Sequence, residues 1–232
     1  MLGTEVEPDG APDGAPDGGY ASRSPLVVVL GLVCLLAFAV IAGTAGYLMH
    51  SPRAANSAPP AESSVDAGFA RDMATHHTQA VSMAGYVRDH GTDVEVTLLA
   101  YDIETSQQFQ LGQLDGWLES WGQSRTSSLP PMSWMPGTRP MPSPGLMPGL
   151  ATAAELTHLE TLTGTALDID FLQLMLRHHQ GGVLMADYAA AHAQLGYVRT
   201  LARQMAAAQG NEIVQLEQLL RARGAAPLPA PH

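Results

Sequence analysis

The sequence predicts an all-α fold, a four-helix bundle built from two duplicated helical hairpins and preceded by one transmembrane helix. Apolar residues recur at helical spacing in four long segments, and no stretch alternates convincingly with period two. Asp66–Leu118 also aligns without a gap on Asp168–Leu220, with 17 of 53 positions identical. Repetition of a core pattern predicts a duplicated structural unit.

The N-terminal quarter of the chain differs in composition from the rest. Residues 1–24 are acidic and rich in Pro, Asp and Gly, which predicts disorder. Residues 25–49 contain the uncharged run Leu26–Met49, long enough to span a bilayer as a helix. A cleaved signal peptide is the alternative, but its apolar region is usually shorter. We therefore expect a single-pass signal anchor in the cell membrane, a flexible linker over 50–64, and an extracytoplasmic C-terminal domain.

The domain itself is predicted to cover residues 65–223. Hairpin 1 is expected at 65–122, with Asp66 capping its first helix, and hairpin 2 at 168–223, with a break at Gly196. A Pro/Met-rich crossover at 123–150 separates them, and a short helix is expected at 152–163. Such a long crossover is typical of ferritin-like bundles. Residues 224–232 are expected to form a disordered tail.

Composition restricts the classes of partner. The net charge is −11, and the chain has no lysine and no basic cluster, which excludes a nucleic-acid partner. The single cysteine, Cys34, lies in the apolar run, so the domain needs neither a reducing nor an oxidising compartment.

The polar residues repeated inside the core pattern are two His-His pairs, each bracketed by methionines. On a helical wheel they fall on the inward-facing stripe of each hairpin's first helix. Imidazole and thioether together suit copper, and thioether favours Cu(I). The candidate ligands are Met73, His76, His77, Met83, Met175, His178, His179 and Met185.

Three further residues could support such a site from the second helix of each hairpin. Gln107 and Gln209 match each other and could hydrogen-bond an inward imidazole, while Glu212 is matched by Gln110. The crossover methionines Met132, Met135, Met141 and Met147 either add a mobile thioether site or are loop residues pinned onto the bundle.

Alternatives to metal storage remain open. A methionine stripe is usually core packing, and a core histidine is usually hydrogen-bonded, so the domain could be an interaction module without metal. A metal-dependent oxidoreductase is the other alternative. The sequence has one Glu-x-x-His, Glu155–His158, where a di-iron bundle needs two, and it shows no other catalytic motif.

The segments FARDMATHHTQAVSMA and FLQLMLRHHQGGVLMAD, with MPGL before the short helix, resemble the family called domain of unknown function 305. The resemblance covers about residues 66–222. It implies a ferritin-like bundle, exported or membrane-anchored in bacteria, with copper-binding relatives, and it points to the same His and Met positions. The family's Gln-x-x-Glu-Ile is intact at Gln209–Ile213, but the first copy has Gln110 in place of the acid. A metal transporter or oxidase is the partner that an exported copper binder would serve.

Overall fold

A computed structural model describes residues 58–136 and 147–231 of the chain. Their helices are α1 (Val65–His90), α2 (Val94–Ser120), α3 (Ala153–Leu159), α4 (Gly164–His192) and α5 (Gly196–Ala222), and these two ranges contain no strand. The all-α prediction is therefore confirmed for this part of the chain. The expected transmembrane segment Leu26–Met49 lies outside the described residues. Among the helices that are described, none has the length and apolarity needed to cross a bilayer.

Each repeat forms an antiparallel pair of long helices. In the first pair, Ser64 caps α1 by accepting a hydrogen bond from the Ala67 amide, and Asp93 caps α2. The expectation that Asp66 caps α1 is wrong. Its carboxylate instead accepts from the amides of Gln194 and Leu195, 2.9 and 2.8 Å away, and so ties the α4–α5 turn to the start of α1.

The second pair departs from the expected boundaries at its start. Helix α4 begins at Gly164, four residues before the expected start at Asp168. Gly164 adopts a positive φ of 56°, and the side chain of Thr163 makes no capping hydrogen bond. Glycine accepts this left-handed conformation without the steric clash of a Cβ. Helix α5 begins at Gly196, where the sequence predicted the break.

Helices α1 and α4 pack against each other and join the two hairpins. The core divides into two groups of buried side chains along this interface. The leucine cluster includes Met83, Ile103, Leu159, Phe171, Leu172 and Met175. The tryptophan cluster includes Phe69, Met73, Leu114, Met132, Trp134, Met147, Met185 and Met205. Because Met73 shares a cluster with Met185, and Met83 with Met175, α1 and α4 run antiparallel.

Three α1 side chains at successive turns hold the crossover against the helix. Asp72 accepts from the Met132 amide and the Trp134 indole, both at 2.7 Å. Nε2 of His76 lies 3.0 Å from the Pro148 carbonyl oxygen. Gln79 makes two hydrogen bonds to the backbone of Ala151.

The short helix α3 has a complete capping box between Thr152 and Glu155. Glu155 also forms an ion pair with Arg177 of α4, at 2.8 Å. The capping box and the ion pair therefore explain the glutamate of the lone Glu-x-x-His motif as a structural residue.

The residues after α5 differ from the disordered tail that was expected. The Gln173 side chain donates to the Ala226 carbonyl at 2.6 Å, and Leu228 packs against the leucine cluster. Burial of the apolar Leu228 side chain against this cluster stabilises the position of these residues.

Candidate metal centre

The structure brings all four histidines of the two pairs together at the middle of the α1–α4 interface. Each is 0% exposed. The rings of His76 and His178 lie with centroids 3.7 Å apart, tilted by 40°, and those of His178 and His179 are 6.1 Å apart. The antiparallel packing of two copies of one helix places both pairs at the same level of the bundle.

Every one of these imidazoles has a hydrogen-bond partner for Nε2. His76 bonds to the Pro148 carbonyl and His178 to the His76 carbonyl, each at 3.0 Å. His77 bonds to Gln110 Oε1 at 2.7 Å, and His179 to Glu212 Oε2 at 2.5 Å. Because carbonyl and carboxylate oxygens accept, Nε2 is the nitrogen that carries the proton.

The other ring nitrogen, Nδ1, is buried without a hydrogen-bond partner in all four rings. A buried polar atom without a partner lowers the stability of a fold by roughly 1–3 kcal/mol. Four such atoms at one level of the core are a large penalty for a domain of this size. A histidine binds a metal through one ring nitrogen while its other N–H is held by an oxygen, and this tautomer, with Nε2–H held and a lone pair free on Nδ1, is one of the two that do so.

Burial keeps the rings of His76, His77 and His178 neutral. Desolvation, together with the smaller effect of the neighbouring His77, lowers the pKa of His76 to about 3. Desolvation also lowers the pKa of His77 to about 4 and places that of His178 well below its ordinary value. Neutral imidazole is the form that binds metals.

The expected glutamine contacts are wrong in detail. Both amide atoms of Gln107 and of Gln209 are buried without hydrogen bonds, and the imidazoles bond instead to Gln110 and Glu212, three residues further along each helix. A Cβ added at Gly182 would lie 2.2 Å from Gln209 Oε1, so the Gln209 amide occupies the space that this glycine leaves. Of the three expected supporting residues, Glu212 contacts a histidine.

The four candidate methionines are also buried, on both sides of the histidine level. Met73 and Met185 belong to the tryptophan cluster, and Met83 and Met175 belong to the leucine cluster. Within the described ranges, no three His, Cys, Asp or Glu side chains are arranged to hold one metal ion. Any single site formed here from these side chains therefore requires thioether ligands or a low coordination number.

The Pro148 carbonyl is a partner that reasoning from the sequence missed. Pro148 and Gly149 lie close against α4: a Cβ at Gly181 would be 2.0 Å from the Pro148 oxygen, and one at Gly149 would be 2.4 Å from the Arg177 oxygen. The glycines in the segments HHQGG and MPGL could have predicted this contact, because a close approach of two backbones requires residues without a Cβ.

Two further repeated histidines, His90 and His192, lie away from this centre. Each stacks on the tyrosine four residues before it and hydrogen-bonds that tyrosine's carbonyl through Nδ1. They terminate α1 and α4. The crossover methionines Met132 and Met147 are 6% and 3% exposed in the tryptophan cluster, whereas Met141 lies outside the described residues.

An all-α bundle made of two hairpins, with a shared level of buried histidines and methionines between them, defines the class of this protein. The chain belongs to the family described as "Domain of unknown function (DUF305)", whose profile matches residues 66–220. Comparison with curated proteins finds no significant match.

Solved structures of similar proteins support this assignment. A DUF305 protein of Streptomyces coelicolor, whose description proposes that it is secreted, is 46% identical with a TM-score of 0.68, over 73% of this chain and 99% of that one. A DUF305 fragment from Deinococcus radiodurans is 32% identical with a TM-score of 0.57, over 68% and 96%.

The protein CopM shares the fold. Its Cu(I)-bound form is 23% identical with a TM-score of 0.52, over 68% of this chain and 96% of that one. It has also been solved in Cu(II)-bound and Ag-bound forms.

Proposed function

We propose that this protein is a membrane-anchored, extracytoplasmic copper-binding protein that sequesters or hands over Cu(I). The ligands are the duplicated His-Met residues named above, and Gln110 and Glu212 hold the rings of His77 and His179. The observation that carries this proposal is the set of four buried Nδ1 atoms without partners, each on a ring whose Nε2–H is held by an oxygen.

The choice of metal follows from the donor set. Structural zinc sites need four ligands, almost always Cys, His, Asp or Glu, and no three of these side chains among the described residues, the four histidines included, are arranged to hold one ion. Thioether sulfur is a soft donor that selects Cu(I) among the first-row metals. The Cu(I), Cu(II) and Ag forms of CopM, a protein of the same fold, support copper and silver as the first ions to test.

Storage or transfer fits the centre better than turnover. The four rings are completely buried, so the arrangement offers no exposed coordination position for a substrate. The chain supplies the ligands and excludes water, and copper when bound supplies a soft Lewis-acid centre. A metal transporter or an oxidase on the same side of the membrane is the partner we propose for the transferred ion.

Location rests on two separate observations. The uncharged run Leu26–Met49 has the length of a single bilayer-spanning helix. The Streptomyces coelicolor relative has been proposed to be a secreted protein. We propose that Leu26–Met49 is the anchor and that residues 58–232 lie outside the cytoplasm.

A Cu(I) competition titration tests the metal site. The full chain in mild detergent is titrated against bicinchoninate beside H76Q/H178Q and H77Q/H179Q. Glutamine keeps an amide donor where Nε2–H lies but removes the Nδ1 lone pair. We expect at least a tenfold loss of Cu(I) affinity in each variant with an unchanged helical spectrum. Wild-type affinity in both variants would contradict the proposal.

A further inference from the structure

The two core clusters differ in their content of methionine. Among the described residues, the tryptophan cluster contains five buried methionines, and the leucine cluster contains two and is otherwise rich in leucine. Three of the five lie outside the duplicated His-Met pattern, namely Met132, Met147 and Met205. Packing alone does not require sulfur, because the other cluster is filled mainly by leucine and other side chains without sulfur.

The crossover turn that carries Met132 is held in a strained shape. Met132 has φ of +64°, and it is the non-glycine residue with positive φ in the described ranges. Residues other than Gly, Asn and Asp rarely adopt this backbone conformation, and such strain concentrates at functional sites. The turn therefore persists because the surrounding structure holds it.

A buried carboxylate provides that hold. Asp72, 7% exposed, accepts hydrogen bonds from the Met132 amide and from the Trp134 indole at 2.7 Å each. The indole lies directly on the α1 backbone, where a Cβ at Gly68 would be 2.4 Å from it. These two hydrogen bonds hold the Met132 backbone and the Trp134 ring against α1, and both side chains lie inside the cluster.

The second arm of the crossover returns to the same cluster. Met147 is 3% exposed there, and the Pro148–Gly149 backbone that follows it is wedged against α4. Tyr188 of α4 completes the surroundings of the indole, with ring centroids 5.8 Å apart. Two separate chain segments thus place thioethers in one apolar cluster, which also contains Met205 of α5.

We propose that the tryptophan cluster holds a second site for a soft monovalent ion, Cu(I) or Ag(I), in which Met132 and Met147 of the crossover join Met205 of α5. Thioethers suit such ions, and the face of an adjacent indole attracts a cation. The site is separate from the imidazole nitrogens of the histidine level, and it depends on the crossover, which the histidine duplication does not explain.

Trp134 provides the readout. The full chain in mild detergent carries W117F/W121F, which leaves Trp134 as the tryptophan that emits, and it is titrated with silver nitrate in chloride-free buffer. We expect saturable quenching of Trp134. M132L/M147L removes both sulfurs at nearly constant volume, and it should weaken the quenching at least tenfold and bind one ion fewer per chain.

Two control variants separate this site from the histidine level. H76Q/H178Q should keep the Trp134 quenching, and M83L/M175L, which removes two sulfurs from the leucine cluster, should keep it as well. Quenching that survives in M132L/M147L, or that disappears in either control variant, overturns the second site. If M132L/M147L does not fold, M132L and M147L are measured singly, and wild-type quenching in both overturns it equally. A loss of Cu(I) affinity in the histidine variants would not by itself change the outcome of the Trp134 quenching experiment, so the two proposals can fail separately.

Discussion

The four histidines of the core differ from one another in what holds Nε2. His77 bonds to a neutral amide, Gln110, and its repeat counterpart His179 bonds to a carboxylate, Glu212. A carboxylate partner raises the basicity of a ligating imidazole more than an amide does. The duplication therefore contains two versions of one site, and the second should bind a metal ion more tightly.

Exchanging these partners tests the difference. E212Q should weaken Cu(I) binding by roughly tenfold, in line with other losses of a ligand's hydrogen-bond partner. Q110E, the mirror change, should strengthen binding at the first repeat. Competition with a chromophoric chelator measures both, and equal affinities for E212Q, Q110E and wild type would contradict the role of the carboxylate.

Acid should destabilise the domain through the same rings. Folded His76 and His77 have pKa values of about 3 and about 4, whereas a histidine in the unfolded chain titrates near 6.5. Between these limits the unfolded state binds more protons, so stability falls as pH drops from about 6.5 towards 4, by up to about 1.4 kcal/mol per pH unit for each histidine. Urea unfolding at pH 7 and pH 5 measures the slope, and H76Q/H178Q should reduce it. An unchanged slope in that variant would count against burial of neutral rings.

At the scale of the elements, the described parts of the crossover contribute Met132, Trp134 and Met147 to the core. The sequence indicated an irregular, Pro/Met-rich connection but did not show where it lies. Its position depends on contacts between residues far apart in the chain, such as Asp72 with Trp134 and Gly181 with Pro148. The sequence of the crossover has no periodic pattern from which those contacts could be predicted.

Glycine-to-alanine changes separate the close approach from ordinary helix positions. G181A places a Cβ 2.0 Å from the Pro148 oxygen, and this overpacking should destabilise the domain by about 1–3 kcal/mol. G112A in α2 meets no atom within 4 Å and should be neutral or stabilising by up to about 1 kcal/mol. Urea denaturation measures both. A G181A variant as stable as wild type would show that the crossover is not packed against α4.

At the scale of the whole molecule, the duplication explains why the sequence predicted so much of the bundle. Helical spacing predicted both hairpins and placed the repeated His-His pairs on inward-facing stripes. In the structure the pairs meet because antiparallel copies of one helix bring equal positions together. The hydrogen-bond partners were less accessible: Gln107 and Gln209 were expected at the imidazoles, but Gln110 and Glu212 make the contacts. Which of two polar residues one turn apart reaches a ring depends on the rotation of the packed helices.

Metal binding should stabilise the folded chain, since the centre exists only when both hairpins are packed. A ligand at 100 times its dissociation constant adds about 2.7 kcal/mol to folding. Saturating Ag(I) should therefore raise the midpoint of thermal unfolding, with a smaller rise in H76Q/H178Q. An equal rise in that variant would assign the effect to other residues.

The central claim concerns the Nδ1 atoms, and imidazole ¹⁵N resonances observe them directly. Long-range ¹H–¹⁵N spectra of the uniformly labelled full chain in detergent should show Nε2 protonated in His76, His77, His178 and His179, with the rings of the first three neutral. Addition of Ag(I) should move Nδ1 of these residues and leave His90 and His192 unchanged. Rings protonated at Nδ1, or Nδ1 resonances that do not respond to the ion, would contradict the metal centre.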